Sequence, residues 1–433
     1  MAASRSLQDW LRDIEGRHPR EVDLGLARVR EVAGRMGLGR PARFVATVAG
    51  SNGKGSTVAF IEAIAAASGL RVGAYTSPHL RAYGERVRID GADAGDDALV
   101  AAFEAVEAAR GDTTLTYFEY GTLAALWLFE RADLDLAVLE VGLGGRLDAV
   151  NLVDPDVAVV TTVDLDHQDW LGPDREAIGR EKAGLARAWK PLVLGEDDPP
   201  SSVLGHAYAI GASAIRAGSD YRFGRDDDGD GWWWREPGFG LELPLPRMAA
   251  PAQLRNAAAA IAALRALDLG IDDGAWARGV AAAQLPGRLQ RFERDGVEVL
   301  VDVGHNPQAA RALADWLREA PAARTVAVYG ALADKDAAGV VAAIADRVDA
   351  WHLAGTLGAG ARGRDAAELA AALAGTAAAG ARRHDDVAAA LPAALADAGA
   401  GGRVLTFGSF HIAGAALEWL AAAGSEAGAG GAV

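Results

Sequence analysis

Seven consecutive residues, Gly50-Ser51-Asn52-Gly53-Lys54-Gly55-Ser56, are of the types that can hold a polyphosphate. Glycines let backbone N–H groups turn toward phosphate oxygens, a following helix adds positive potential at its amino end, and Lys54 contributes a full charge. The Ser56 hydroxyl suits a magnesium ion. The usual pattern places Ser or Thr directly after the lysine, whereas Gly55 intervenes here, so the segment reads as a variant P-loop. A glycine-rich turn with a surface lysine is the plainer alternative.

A metal beside a triphosphate needs further hard ligands from neighbouring strand ends. Glu140 closes the apolar run LDLAVLEV, and His167 lies in DLDHQDWLG just past VAVVTTV. Each alone is compatible with an ordinary strand-end carboxylate or a loop histidine, but with Ser56 they converge on one sheet edge. Gly142-Leu143-Gly144-Gly145-Arg146 begins like a dinucleotide fingerprint, yet Leu147 replaces the third glycine and the following residues read as a loop. A close-approach loop presenting backbone and Arg146 to a ligand fits better. Asp226, Asp228, Asp230 and Gly231 open like a calcium loop, but Pro237 stands at the twelfth position, so a solvated turn is expected. Trp232, Trp233 and Trp234 are expected to alternate in burial along a hairpin.

These groups need a scaffold. RFVATVA from Arg43 is a β-rich run, followed by the glycine loop and a helical pattern over Thr57–Ala67 ended by Gly69. Further strand-length runs are Leu134–Val141, Val157–Val163 and Pro191–Leu194, with helical stretches between them. That alternation implies a mainly parallel sheet covered by helices on both faces. A second series, from Val297, Thr325, Trp351 and Arg403, follows the breakers Pro286 and Gly287. The expected architecture is therefore α/β: a P-loop ATPase-like domain over residues 1–287, with a small β segment at Asp220–Pro246, and a Rossmann-like α/β domain over 288–433. Residues 424–433, GSEAGAGGAV, have little to bury and are expected to form a mobile tail.

The chain has 433 residues, a net charge of −16, 51% hydrophobic residues and no cysteine. The negative charge argues against a general nucleic-acid binder, and the absence of cysteine excludes disulfides, thiolate zinc sites and a cysteine nucleophile. Neither a secretory signal nor an 18-residue uncharged apolar run is visible, so a soluble, cytoplasmic protein without membrane association is expected.

The motifs GSNGKGS, SPHL at Ser77–Leu80, Glu85-Arg86-Val87, LTYFEYGT from Leu115, EVGLGGRLDA from Glu140, LDHQDWLG from Leu165, REKAG from Arg180, PGR at Pro286–Arg288, DVGHNP from Asp302 and GSF at Gly408–Phe410 occur in one order. In that order they resemble the folylpolyglutamate synthases, especially the bifunctional bacterial kind with dihydrofolate synthase activity, within the Mur ligase superfamily. The resemblance spans about residues 40 to 415.

It implies an ATP-dependent amide ligase that joins L-glutamate to dihydropteroate and to tetrahydrofolates through an acyl phosphate, with its active site in a cleft between two domains. By similarity Gly50 to Ser56, with Asn256, Arg288 and Asp302, bind ATP, and Ser56, Glu140 and His167 bind magnesium, two ions being expected. Thr116, Phe118 and Asp148 fall in the pterin segments. Arg86, His305 and Ser409 match positions associated with glutamate, and Lys54, Lys182, Arg288 and His305 are the catalytic candidates. REKAG resembles the segment where Mur ligases carry a carbamylated lysine, which would make Lys182 a metal ligand. Ser51 and Ser56 stand where Thr is common, and Gly304 replaces an Ala, without loss of a functional group. A monomer is expected. The alternatives are a Mur-type ligase acting on a cell-wall nucleotide sugar, and a nucleotide-gated binding module without turnover; ADP release dependent on both pterin and glutamate separates them.

Overall fold

A computed structural model describes residues 5–20 and 22–429, with side chains to Ala422. The chain divides into two compact units, residues 1–247 with 253–284, and residues 248–252 with 285–433. The break thus falls between Gln284 and Leu285, just before the Pro286-Gly287 breakers, and a five-residue segment, 248–252, packs with the second unit.

The first unit is built on eight strands: β1 (Phe44–Ala49), β2 (Val72–Tyr75), β3 (Val87–Ile89), β4 (Ala92–Asp93), β5 (Leu136–Glu140), β6 (Val157–Val160), β7 (Pro191–Leu194) and β8 (Ser213–Arg216). Their order is β4-β3-β2-β5-β1-β6-β7-β8. All neighbouring pairs are parallel except those made by β3, which is antiparallel to β2 and β4. β1 lies between β5 and β6, with Val48 level with Glu140 and Ala49 with Val160. The glycine loop, Glu140 and the His167 segment therefore leave the sheet from adjacent strand ends. Such a strand, covered on both faces, is a nearly continuous apolar run, and five of the six β1 residues are buried, Thr47 being the one polar member.

The helix after the loop runs Lys54–Ala67, three residues earlier than its apolar pattern. The Gly-Lys-Gly-Ser stretch shows no helical periodicity, yet Gly53 adopts a φ of +86° and turns the loop directly into the helix. β6 is shorter than its apolar run: its strand ends at Val160, the Thr161 N–H still reaching the Ala49 carbonyl at the end of β1, while the glycine loop takes the Thr162 carbonyl through the Ser51 N–H.

Three antiparallel strands, β9 (Arg222–Arg225), β10 (Gly231–Glu236) and β11 (Phe239–Pro244), form a separate small sheet. Trp232 and Trp234 are buried and Trp233 is half-buried, as strand alternation requires. Trp234 stacks on Tyr221 and donates to the Ala258 carbonyl. Asp226 and Gly231 close the turn between β9 and β10.

The second unit holds β12 (Gln290–Arg294), β13 (Val297–Val301), β14 (Thr325–Tyr329), β15 (Ala350–Ala354), β16 (Arg382–His384) and β17 (Arg403–Phe407), ordered β12-β13-β17-β14-β15-β16. The β12–β13 hairpin is antiparallel and every other pair parallel. A core including Leu300, Ala327, Leu353 and Leu405 lies between this sheet and its helices. The closing helix Phe410–Ala429 carries the backbone through 424–429, so that part of the expected tail is helical, and residues 430–433 lie outside the described residues. Among the described residues, no helix is long and apolar enough to cross a membrane.

Candidate active site

The glycine loop is fixed from below by the residues that follow β6. Ser51 donates its N–H to the Thr162 carbonyl, the Asn52 N–H meets Thr162 Oγ1, and Thr161 Oγ1 donates to the Asn52 carbonyl at 2.5 Å. Two glycines are required by space. A Cβ on Gly50 would stand 1.8 Å from Thr161 Oγ1, and one on Gly53 would stand 2.3 Å from Asn256 Oδ1. Asn256 is buried and donates to Gln253 Oε1, so its side chain backs the loop and supports its shape. Lys54 Nζ rests on the Gly50 carbonyl at 3.1 Å, curling over the loop as a phosphate-binding lysine must.

A pocket opens there, lined by Gly50, Ser51, Lys54, the backbone turn Gly142–Gly144, Asp166, His167 and Lys182. Lys54, His167 and Lys182, three sequence candidates from distant segments, thus line one pocket. Asp166 also lines the pocket, with Oδ2 3.7 Å from His167 Nε2. It stood inside the quoted LDHQDWLG motif, but nothing in its spacing set it apart from Asp164. Ser56 and Glu140 are buried and are not among the lining residues. The Glu140 carboxylate accepts the Ser77 N–H at 3.1 Å, which brings the first residue of SPHL to this edge. β2 and β5 are neighbours, and that adjacency cannot be read from the chain order alone. Among the described residues, no three His, Asp or Glu side chains converge as a self-sufficient metal cluster.

Lys182 sits near the end of the helix Arg175–Ala183 and is 3% exposed. Burial, with the nearby Lys54 charge, pushes its amine down to about 7, against the weaker pull of Asp166, Asp148 and Glu196. Its backbone lies against Gly145, where a Cβ would meet the Glu181 carbonyl at 2.9 Å. Arg146 does not face the pocket: its guanidinium pairs with Glu181 at 2.9 Å. The turn therefore offers backbone groups, and the arginine side chain is spent on holding the turn to the Lys182 helix.

Phe118 packs its ring on Gly142, where an added Cβ would lie 2.7 Å from the ring edge, and on Tyr75 at 5.9 Å between centroids. Thr116 and Asp148 have local structural work. Thr116 caps the helix Tyr117–Glu130 in a reciprocal capping box with Glu119. Asp148 accepts from the Leu143 and Val150 N–H groups and is fully enclosed, so burial raises its carboxyl to about 7. It thereby fixes the 142–144 turn. Arg86 is 9% exposed, lies 5.3 Å from the Tyr83 and Tyr117 ring centroids, and donates from Nε to His79 Nδ1.

On the second unit, Asp302 follows β13 and gives both carboxylate oxygens to backbone, accepting from Leu289 N–H at 2.8 Å and Gly304 N–H at 2.7 Å. Burial raises its pKa and the Arg288 charge opposes the rise. His305 Nδ1 donates to the Val303 carbonyl, which puts the ring lone pair on Nε2. The His305 ring and the Arg288 guanidinium both lie against Phe410, at 6.3 and 5.3 Å. The Ser409 hydroxyl accepts the Ile412 N–H and begins the closing helix. At Gly304 a Cβ would meet Asp302 Oδ1 at 2.9 Å and Ala309 Cβ at 3.1 Å, a close fit that the glycine avoids.

With this geometry in hand, known proteins supply the kinship. Residues 48–264 match the Mur ligase middle domain and residues 287–410 the Mur ligase glutamate ligase domain. The chain is 47% identical to the dihydrofolate synthase/folylpolyglutamate synthase of Escherichia coli (strain K12) over 418 residues, 96% of each chain. The chain belongs to this family of Mur ligases. The enzyme of the same name from Haemophilus influenzae is 39% identical, covering 95% of this chain and 97% of that one. Among solved structures, E. coli FolC in complex with DHPP and ADP superposes with a TM-score of 0.91 at 47% identity, covering 98% of this chain and 99% of that one. A bifunctional folylpolyglutamate synthase/dihydrofolate synthase with Mn, AMPPNP and L-glutamate bound gives 0.88 at 45% identity, covering 96% and 98%. The chain is thus a carbon–nitrogen ligase of the dihydrofolate synthase/folylpolyglutamate synthase family, with the two-domain α/β architecture of its relatives.

Proposed function

We propose that the protein joins L-glutamate to dihydropteroate, forming dihydrofolate, and to tetrahydrofolates, extending their glutamate tail, and that it does so as a monomer. The observation that carries this reading is the pocket in which Lys54 and the glycine loop face Lys182, His167 and the Gly142–Gly144 turn. A free carboxylate is a poor acyl donor. It attacks the γ-phosphate of ATP, the bond to the β-phosphate oxygen breaks, and an acyl phosphate and ADP form. The glutamate amine then attacks the acyl carbon, and phosphate leaves with the amide bond made.

Lys54 and the helix amino end behind the loop stabilise the charge that moves onto the phosphate oxygens in the first step. Glu140 and His167, with the Ser56 and Ser77 hydroxyls, offer the hard oxygen and imidazole donors that suit magnesium, and a carbamate on Lys182 would serve a second ion. Bound there, magnesium neutralises phosphate charge. Phe118 supplies an apolar wall for a flat pterin, with Thr116 and Asp148 shaping the turns around it. Arg288 and Asp302 serve the nucleotide, and His305 and Ser409 the glutamate, where the His305 imidazole can take the proton lost by the attacking amine. Arg86 acts on glutamate through the His79 it holds.

The deciding assay measures ADP release with dihydropteroate and glutamate, then with tetrahydrofolate and glutamate. Release in both mixtures, and in neither when glutamate is omitted, is expected. No ADP with either acceptor would overturn the reading.

A further inference from the structure

Past Val160 the chain leaves the β6 ladder and runs to Asp166 and His167 on the pocket wall. Backbone groups that leave a ladder must find partners elsewhere. At Val163 and Asp164 all four are taken by side chains. Glu196 Oε1 accepts the Val163 N–H at 3.0 Å, and Arg175 Nε donates to the Val163 carbonyl at 2.8 Å. The Ser51 hydroxyl serves Asp164 twice, accepting its N–H at 3.0 Å and donating to its carbonyl at 2.8 Å. Arg175 and Glu196 are also an ion pair at 3.5 Å, and Arg175 Nη2 reaches the Asp198 carbonyl at 3.0 Å.

Ser51 therefore registers the segment to the glycine loop, while the Arg175–Glu196 pair grips the preceding peptide from the other side. We infer that Arg175 and Glu196 are positioning residues, which set the height of Asp166 and His167 above the phosphate loop. Neither lines the pocket. Arg175 opens the helix that carries Lys182, so one side chain ties two walls of the site together. Groups that orient a ligand through its backbone act like other outer-shell partners, whose loss costs on the order of ten- to a hundredfold in metal affinity. The inference rests on the proposed reading of His167 as a cation ligand.

The test compares Arg175→Met, Glu196→Ala, Glu196→Gln and His167→Ala by paramagnetic Mn²⁺ binding at saturating AMPPNP, by kcat and KM for dihydropteroate, and by amide exchange at Asp164 and Leu165. Arg175→Met and Glu196→Ala are expected to weaken Mn²⁺ binding about tenfold and to lower kcat similarly, with KM little changed. Glu196→Gln keeps an acceptor for the Val163 N–H and should stay within about threefold of wild type. Arg175 is partly exposed, so its Met variant carries the test if Glu196→Ala does not fold. Wild-type Mn²⁺ affinity and amide exchange in Arg175→Met would overturn the inference. If His167→Ala alone keeps full Mn²⁺ affinity, the cation reading fails; faster exchange at Asp164 in Arg175→Met would still support the positioning role.

Discussion

Arg86 donates from Nε to Nδ1 of His79 across 2.8 Å, and this one bond decides where the imidazole proton resides. An acceptor Nδ1 leaves the proton on Nε2, so His79 is a neutral N–H donor. Burial, and then the Arg86 charge, depress its pKa to about 4. Arg86→Ala should remove the second cause and leave the first. The His79 ring is then expected to titrate closer to its ordinary 6.5 without reaching it. Proton NMR of the imidazole checks this, and an unmoved titration would show that the arginine charge does not reach the ring.

Lys54 supplies the loop's full charge, and among the described residues its side chain donates one hydrogen bond, to the Gly50 carbonyl. Lys54→Ala keeps the glycines and the buried helix face, so thermal stability should change little. Loss of the phosphate-facing cation should lower kcat by roughly a hundredfold or more. A near wild-type ligase rate in this variant would remove the loop from the phosphate site.

Gly53→Ala tests the loop's shape instead of its charge. The position has a φ of +86°, and its Cβ would stand 2.3 Å from Asn256 Oδ1. The conformational cost alone is about 1–2 kcal/mol. Calorimetry should show a lower Tm together with weaker ADP binding. Adding Asn256→Ala clears the clash and should recover part of the stability, which separates crowding from backbone strain.

The sequence made some of this structure legible and hid the rest for physical reasons. Strand runs such as Pro191–Leu194 could be read because a strand covered on both faces must be apolar. The Trp232–Trp234 alternation could be read because a strand has a period of two. The glycine loop declared itself by composition. Arg146 did not reveal that Glu181 would hold it, and Thr116 and Asp148 did not reveal how far capping and turn bonds would occupy them. Arg175 and Glu196 escaped notice because they act on Val163 through backbone atoms, and such bonds impose no side-chain pattern. Ser77 needed the β2–β5 adjacency before its proximity to Glu140 had meaning.

Lys182 gives the last prediction. An amine held down to about 7 is substantially neutral in ordinary buffer, and the neutral form is the one whose nitrogen attacks carbon dioxide. The N–C bond forms, the nitrogen loses a proton, and the side chain changes from a cation that repels metal ions to an anion with two oxygens. Exposure to ¹³CO₂ should give a carbamate signal that grows as pH rises through about 7 and is missing in Lys182→Ala. That variant should fold, lose most ligase activity and recover part of it with added acetate, which can occupy the vacated space as a free carboxylate. Stability supplies an independent check in buffer free of carbon dioxide. The folded amine titrates near 7 and the ordinary value is 10.5, so between them the unfolded chain holds the extra proton. Wild-type stability should therefore fall as pH drops from about 10 toward 7 and level off below. Lys182→Met removes that titration, so its stability advantage over wild type should widen over the same interval. An advantage that stays constant from pH 10 to pH 7, with no carbamate signal, would show that Lys182 is an ordinary charged lysine.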